Sequence, residues 1–175
     1  MQQSLTLEPE TSIPRVTKPR WSSEDLFEEY FEPIHSYFSR RVNSAEDVKD
    51  LTAETFASTV GTKIPRGVEP LSWLYGISRR KLADHLRRQK RSGFVPTEVA
   101  PTAISERALM IRDWVDALPS DQREALLLQA LEGLSVNQIA VVMHRSPKSV
   151  KALLQRAKES VRNQSRMEFE MEENR

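Results

Sequence analysis

The stretch "SVNQIAVVMHRSPKSVKALLQRAKESVR", residues 135–162, decides the fold predicted for this chain. Apolar residues recur in it at helical spacing in two runs, which are separated by Ser146 and Pro147. Ser146 is suited to cap the second helix, and proline is favoured at the first helical position. Ala140 is small where two helices would cross closely, and His144 stands where a left-handed glycine often lies. The pattern predicts a helix-turn-helix.

The second helix of this motif is basic on its outer face. Residues 145–162 contain six basic side chains and one acidic side chain. Lysine and arginine can pair with phosphates or guanine edges, and glutamine can pair with adenine. The alternative is an ordinary solvated helix face, but capping, turn and spacing together favour DNA binding. The predicted DNA-facing residues are Lys148, Ser149, Lys151, Ala152, Gln155, Arg156 and Lys158.

The charge of the chain is unevenly distributed. The formal net charge is only +1, from 26 basic and 25 acidic residues. Residues 24–60 nevertheless hold nine acidic side chains against three basic ones, and residues 79–91 hold seven basic against one acidic. Two basic helices and one acidic face indicate two kinds of partner.

The chain divides into two helical segments. Residues 1–20 contain three prolines without apolar periodicity and are predicted to be a flexible tail. A helical domain is predicted over 21–91, with Ser44 as a cap and Pro33 kinking or dividing its first helix. Residues 92–103 are predicted to be a linker, 104–165 a second helical domain in which Ser120 can cap one helix, and 166–175 an acidic tail. The predicted fold is all-α, with two small helical domains joined by a flexible linker and a helix-turn-helix in the second.

Composition argues against several other classes of protein. The chain has no cysteine, so disulfides and thiolate metal sites are excluded. Its three histidines are scattered without metal-ligand spacing, and no phosphate-binding glycine loop or Ser-His-Asp grouping is found. We therefore expect no enzyme activity, no cofactor and no metal. The sequence has neither a signal peptide nor an apolar run of membrane-spanning length, so we expect a cytoplasmic protein without membrane insertion.

Four segments carry a family resemblance. They are "SAEDVKDLTAETF" (44–56), "PLSWLYGISRRKLADHLRRQKR" (70–91), "LPSDQREALLLQALEGLSVNQIAVVM" (118–143) and "SPKSVKALLQRAKESV" (146–161). In order and spacing they resemble a bacterial sigma factor of the extracytoplasmic-function class, in the sigma-70 superfamily. This minimal form has only region 2 and region 4, and the resemblance covers about 24–91 and 107–162.

The resemblance implies a function for each half. A sigma factor directs core RNA polymerase to promoters, with region 2 reading the minus-10 element and assisting melting, and region 4 reading the minus-35 element. The implied partners are the polymerase β′ clamp helices and β flap, promoter DNA, and an anti-sigma factor of the kind such proteins often have. The residues that fall on the clamp-binding helix are Asp47, Asp50, Leu51, Glu54 and Phe56.

The resemblance also assigns DNA-binding positions. The loop from Thr62 to Glu69 falls where this class captures a flipped base, and it includes Lys63 and Arg66. The positions matching the melting junction and DNA backbone are Trp73, Arg79, Arg80, Lys81, Arg87 and Arg88. Those matching the base-reading face of the minus-35 helix are Lys151, Ala152, Gln155 and Arg156.

Two other functions remain open from the residues alone. A stand-alone helix-turn-helix regulator with a helical interaction domain would explain residues 120–162, but would leave the acidic helix and the first basic helix without a role. The N-terminal half could instead be only a protein-interaction scaffold. Co-purification with core RNA polymerase would distinguish a sigma factor from both.

Overall fold

The computed structural model describes residues 21–91 and 106–173, where all regular secondary structure is helical. The first three helices are α1 (Ser23–Ser39), α2 (Ala45–Ala57) and α3 (Pro70–Arg91). They are followed by α4 (Glu106–Asp116), α5 (Ser120–Ala130), α6 (Val136–Met143) and α7 (Pro147–Glu173). The all-α prediction is confirmed. The predicted tail 1–20 and linker 92–103 lie outside the described residues.

Helix α1 begins with a reciprocal capping box. The Ser22 hydroxyl accepts a hydrogen bond from the Asp25 backbone N–H at 3.0 Å, and the Asp25 carboxylate accepts one from the Ser22 N–H at 2.8 Å. Hydrogen bonding of the Asp25 carboxylate by the Ser22 backbone N–H first, and by the Ser22 side chain second, lowers the pKa of Asp25. The helix continues through Pro33, so Pro33 does not divide it, and the other predicted alternative, a kink, stays a prediction. Proline removes one donor to the carbonyl of Glu29, and Glu29 is exposed, so water can take the donor's place.

Helices α2 and α3 complete the first domain around a shared core. The Ser44 hydroxyl accepts from the Asp47 N–H at 3.1 Å, which confirms the predicted cap. Thr52 and Thr55 are buried, and their hydroxyls donate to backbone carbonyls one turn earlier at 2.7 and 2.8 Å. These polar side chains therefore enter the core with their hydrogen bonds satisfied.

The second domain is built from α4 to α7. Leu128, Ile139 and Val150 are fully buried and join α5, α6 and α7 in one core. Helix α5 begins at Ser120, its N-cap is Pro119, and no side chain caps it, so the prediction that Ser120 is the cap is wrong. Helix α7 continues into the predicted acidic tail as far as Glu173.

The two domains pack directly on each other, principally through α3 and α6. A side-chain carbon placed at Gly76 of α3 would lie only 3.9 Å from the Cα of Val142 in α6. This distance is an ordinary van der Waals contact, so the two helices pack against each other at this crossing. The buried apolar residues of both domains form one continuous cluster. This contact between the domains was not predicted from the sequence.

Candidate promoter and polymerase interface

The turn between α6 and α7 has the geometry of a helix-turn-helix. His144 ends α6 with φ 51° and ψ 46°, the left-handed conformation predicted for this position. The Arg145 N–H donates to the Ala140 carbonyl at 3.0 Å, which closes the turn. The Ser146 hydroxyl accepts from the Ser149 N–H at 3.2 Å, so Ser146 is the predicted cap of α7.

The predicted DNA-facing residues lie along the outer side of α7. Val150, Leu153, Leu154 and Ala157 are buried on the opposite side, which fixes the direction in which this face points. Ser149 and Ala152 are half-buried, and the others are exposed: Lys148, Lys151, Gln155, Arg156 and Lys158.

Glu159 adds a contact that the sequence analysis missed. Its Oε1 accepts a hydrogen bond from the Gln155 Nε2 at 2.9 Å, so a carboxylate one turn away holds the amide. The spacing of four residues between Gln155 and Glu159 on one helix could have indicated this contact. Glu159 is thus a candidate for orienting Gln155.

The basic residues of α3 separate into free and paired groups. Arg80 and Arg88 are exposed and form no ion pair within residues 21–91 and 106–173, whereas the exposed Arg87 binds Asp84 at 2.8 Å. Arg79 is half-buried and lies 3.7 Å from Asp121 of α5. Three predicted DNA-binding residues of α3, Arg79, Lys81 and Arg87, therefore have acidic partners in this conformation.

Lys81 and Trp73 lie closer to the body of the first domain. The Lys81 Nζ is 3.2 Å from the Glu54 carboxylate of α2, which joins a predicted DNA-binding residue to a predicted polymerase-binding one. Trp73 is half-buried and packs against the core, leaving part of its indole accessible.

The loop from Thr62 to Glu69 projects outward from the first domain. Thr62, Lys63 and Arg66 are exposed, and Ile64 packs against the core as an anchor. The Thr62 hydroxyl donates to the Thr59 carbonyl at 2.8 Å. Gly67 has φ +77°, a conformation that side-chain-bearing residues rarely adopt, so glycine is required to turn the chain here.

The predicted polymerase-binding residues of the acidic helix α2 form an exposed group and a buried group. Asp50 and Glu54 are exposed, and Asp47 is half-buried with a carboxylate oxygen 3.7 Å from the His85 Nε2. Leu51 is only 2% exposed and Phe56 only 6%, so both lie in the core. Direct contact with a partner is therefore available to the acidic residues, while Leu51 and Phe56 hold the helix in place.

An apolar groove of about 720 Å³ lies between α4, α5 and α7. Ile111 is 44% exposed on one side, and the Trp114 Nε1 donates to Glu168 of α7 at 3.2 Å. Basic side chains border the apolar floor. The lining residues are Arg107, Met110, Ile111, Trp114, Leu126, Lys158, Val161, Arg162, Ser165 and Glu168. This groove was not predicted from the sequence, because it depends on how α4 packs against α7.

Two features that are absent from residues 21–91 and 106–173 bear on other functions. No group of three or more His, Asp or Glu side chains there could hold a metal ion. No helix in these ranges combines the length and apolar character needed to span a bilayer.

Comparison with known proteins assigns both domains. Residues 26–92 match the model for sigma-70 region 2, and residues 108–161 match the model for sigma-70 region 4. A Bacillus subtilis protein, RNA polymerase sigma factor SigZ, is 28% identical over 145 residues, which cover 77% of this chain and 82% of the relative. ECF RNA polymerase sigma factor SigC of Mycobacterium tuberculosis is 32% identical over 132 residues, covering 69% of each chain.

A solved structure supports the same fold. The sigma factor RpoE of Bartonella quintana, determined with the anti-sigma factor NepR, superimposes with a TM-score of 0.64 at 17% identity. The superposition covers 82% of this chain and 96% of that one. At 17% identity this superposition supports only the fold. The sequence matches support membership of the family. With region 2 on α1 to α3, region 4 on α4 to α7, and sigma factors as sequence relatives, this chain belongs to the sigma-70 family of RNA polymerase sigma factors, in its extracytoplasmic-function class.

Proposed function

We propose that this sigma factor directs core RNA polymerase to promoters through DNA-reading surfaces on α7 and α3 and polymerase-binding surfaces on α2 and the α4–α7 groove. The observation that carries the proposal is the helix-turn-helix. Its second helix presents a basic face to solvent while its apolar face is buried. A helix held in this way can enter the major groove of DNA.

Region 4 reads the minus-35 element through α7. Lys151 and Gln155 lie one turn apart on the exposed face and are suited to base edges. Lys148, Arg156 and Lys158 are exposed and suited to phosphates, which set position but carry no sequence information. Ser149 and Ala152 are half-buried and supply close packing against the groove wall.

Region 2 reads and opens the minus-10 element. The exposed loop with Thr62, Lys63 and Arg66 offers polar groups to a base that has left the stack, and Trp73 offers part of an aromatic face. The adjacent basic residues hold the single-stranded backbone, which lowers the cost of separating the strands. They are Arg79, Arg80, Lys81, Arg87 and Arg88.

Core polymerase is held on the acidic face of α2. Asp50 and Glu54 are exposed there and face a basic partner surface, the β′ clamp helices. Asp47 contributes from the edge of this face. Leu51 and Phe56 act through the core by fixing the position of α2.

The α4–α7 groove is the binding site for the β flap of polymerase. An apolar floor with the basic rim of Arg107, Lys158 and Arg162 suits an apolar helix that carries acidic residues. Changing Ile111 to Asp should weaken binding of core polymerase, while the fold should persist because Ile111 is 44% exposed. Asp113→Lys, an exposed change on the same helix and outside the groove lining, is the matched control.

No chemical catalysis belongs to this function, and its place is the cytoplasm, where polymerase acts. An anti-sigma factor would be a further partner, as NepR is for the Bartonella quintana protein. Run-off transcription from a promoter library with core polymerase tests the proposal. Transcripts should start at defined promoters only when the chain is present. Equal transcription by core enzyme alone would refute it.

A further inference from the structure

Helix α7 is longer than the segment that matches region 4. The match ends at residue 161, whereas the helix continues to Glu173. We call residues 162–173 the α7 extension. Ser165 and Glu168 of this extension are half-buried and line the α4–α7 groove. The extension therefore belongs to the wall of the groove, although the sequence match to region 4 does not include it.

A hydrogen bond joins the α7 extension to α4. The Trp114 Nε1 donates to the Glu168 Oε2 at 3.2 Å. An indole nitrogen can only donate, and a half-buried one gives up part of its water, so it needs an acceptor from the protein. A carboxylate is a stronger acceptor than a neutral oxygen. Glu168 thus meets the one polar requirement of this side chain.

The same bond sets the orientation of the Trp114 ring. The outer torsion of a tryptophan side chain has broad energy minima, so the surroundings decide the angle at which the ring stands. The Trp114 ring is held by Glu168 at the edge of a groove whose apolar lining includes Ile111, Leu126 and Val161. A ring that was free to turn would change the width of this groove. The bond therefore keeps one aromatic wall in place before any partner arrives.

Attraction to a partner does not explain a carboxylate at this position. The groove is bordered by three cations, Arg107, Lys158 and Arg162, which suit acidic residues on the partner. Glu168 would repel those residues, so as a direct contact it would weaken the binding that the cations favour. An indirect role through Trp114 accounts for its presence.

We propose that Glu168 is a positioning residue for core polymerase: it holds the Trp114 indole so that the α4–α7 groove is already shaped when the β flap binds. This role rests on the β flap being the occupant of the groove, as proposed above. A side chain that must be ordered on binding lowers the affinity, and for one such side chain the loss is about 2- to 12-fold. The α7 extension removes that loss by ordering Trp114 in advance.

Two substitutions at Glu168 separate positioning from charge. Glu168→Ala removes the acceptor, so the full chain should bind core polymerase about 2- to 12-fold more weakly in an equilibrium titration. Glu168→Gln removes the charge but keeps an oxygen that can accept from the Trp114 Nε1, so it should bind at least as tightly as the unmodified chain. Glu170→Ala is the matched control, because it removes a carboxylate that is 66% exposed on the same extension and outside the groove lining. This control should not change the affinity.

A double-mutant cycle shows whether Glu168 acts through Trp114. Trp114→Phe keeps an aromatic ring but has no N–H to donate. Glu168→Ala should weaken polymerase binding in the unmodified chain and cause no further loss in the Trp114→Phe chain. A general loss of stability would instead weaken binding equally in both backgrounds. Denaturant unfolding of all four chains checks that each is folded under the conditions of the titration.

Each other outcome has a definite meaning. Unchanged affinity in Glu168→Ala, equal losses in both backgrounds, or a loss in Glu168→Gln as large as that in Glu168→Ala would each overturn the positioning role. Ile111→Asp, measured in the same titration, separates this role from the proposed function. If Ile111→Asp weakens binding and Glu168→Ala does not, only the positioning role is overturned. If Ile111→Asp binds normally, the groove is not the site of the β flap, and both are refuted.

Discussion

Replacing Gln155 with alanine separates base reading from backbone contact on α7. The Gln155 amide has two N–H donors and one acceptor oxygen, and one donor is used by Glu159. One donor and the oxygen remain, which is the set needed for a bidentate contact with adenine. Gln155 can therefore read a base without releasing Glu159.

Gln155→Ala should change the stability of the fold much less than the discrimination between bases. Alanine is the best helix former, and the lost pair with Glu159 contributes only about 0.2 to 0.5 kcal/mol, so stability should hardly change. The lost base contact is worth about 1 to 3 kcal/mol of discrimination. This corresponds to about 5- to 150-fold at one or two minus-35 positions.

Transcription from promoters randomised in the minus-35 element measures this preference directly. Gln155→Ala should flatten it at one or two positions. Lys158→Ala, an exposed change on the same helix, is the matched control. Lys158→Ala should reduce transcription from all promoters alike. It should also lower the slope of log binding constant against log salt concentration by about 0.9, as expected for one lost phosphate contact. If Gln155→Ala lowered transcription from every promoter equally, the base-reading role would be refuted. Helix α7 would then contact only the DNA backbone.

Three other perturbations probe different parts of the molecule. Asp50→Lys should weaken co-elution with core polymerase at least tenfold. The free energy of unfolding should shift by less than about 0.5 kcal/mol, because Asp50 is exposed. Unchanged co-elution would mean that this face of α2 contacts only solvent. His144→Gly should raise the free energy of unfolding by about 1 kcal/mol, since φ 51° strains a side-chain-bearing residue, and a lower value in denaturant melts would contradict that account. Burial first and Glu132 second raise the pKa of Tyr75 above the ordinary 10.0, so the stabilising contribution of Tyr75 is fully present below pH 10.0 and is lost as the pH rises further. Phenolate absorbance should show one late-titrating tyrosine fewer in Tyr75→Phe than in the unmodified chain. Titration of Tyr75 at the ordinary pKa would exclude this burial.

The helices and the helix-turn-helix could be predicted from sequence because their signals are local. Apolar spacing, the Ser146 cap and the left-handed position of His144 each involve residues within a turn or two of one another. Of two other local inferences, one failed and one was narrowed, each for a physical reason. Pro33 removes one donor, but a helix that packs a full apolar stripe can tolerate that loss. Pro119, with its fixed backbone, displaced Ser120 from the cap position.

The contacts between domains could not be read from sequence. Glu132 accepts hydrogen bonds from Arg40 and Tyr75, from which it is separated by 92 and 57 residues, and in sequence it is an acidic residue beside a glycine. Nothing local distinguishes a carboxylate that becomes 2% exposed from one that stays in water. Likewise, the charge distribution indicated an acidic face, but not that His85 and Lys81 of α3 would approach Asp47 and Glu54.

The charges of region 4 have a consequence for its approach to DNA. The face that meets region 2 carries Asp121, Glu124 and Glu132, whereas the outer face of α7 is basic. Phosphates repel the first face and attract the second, so region 4 experiences a torque in the field of the duplex before any contact forms. The carboxylates that face region 2 thereby favour an approach with α7 first and disfavour docking in a reversed orientation.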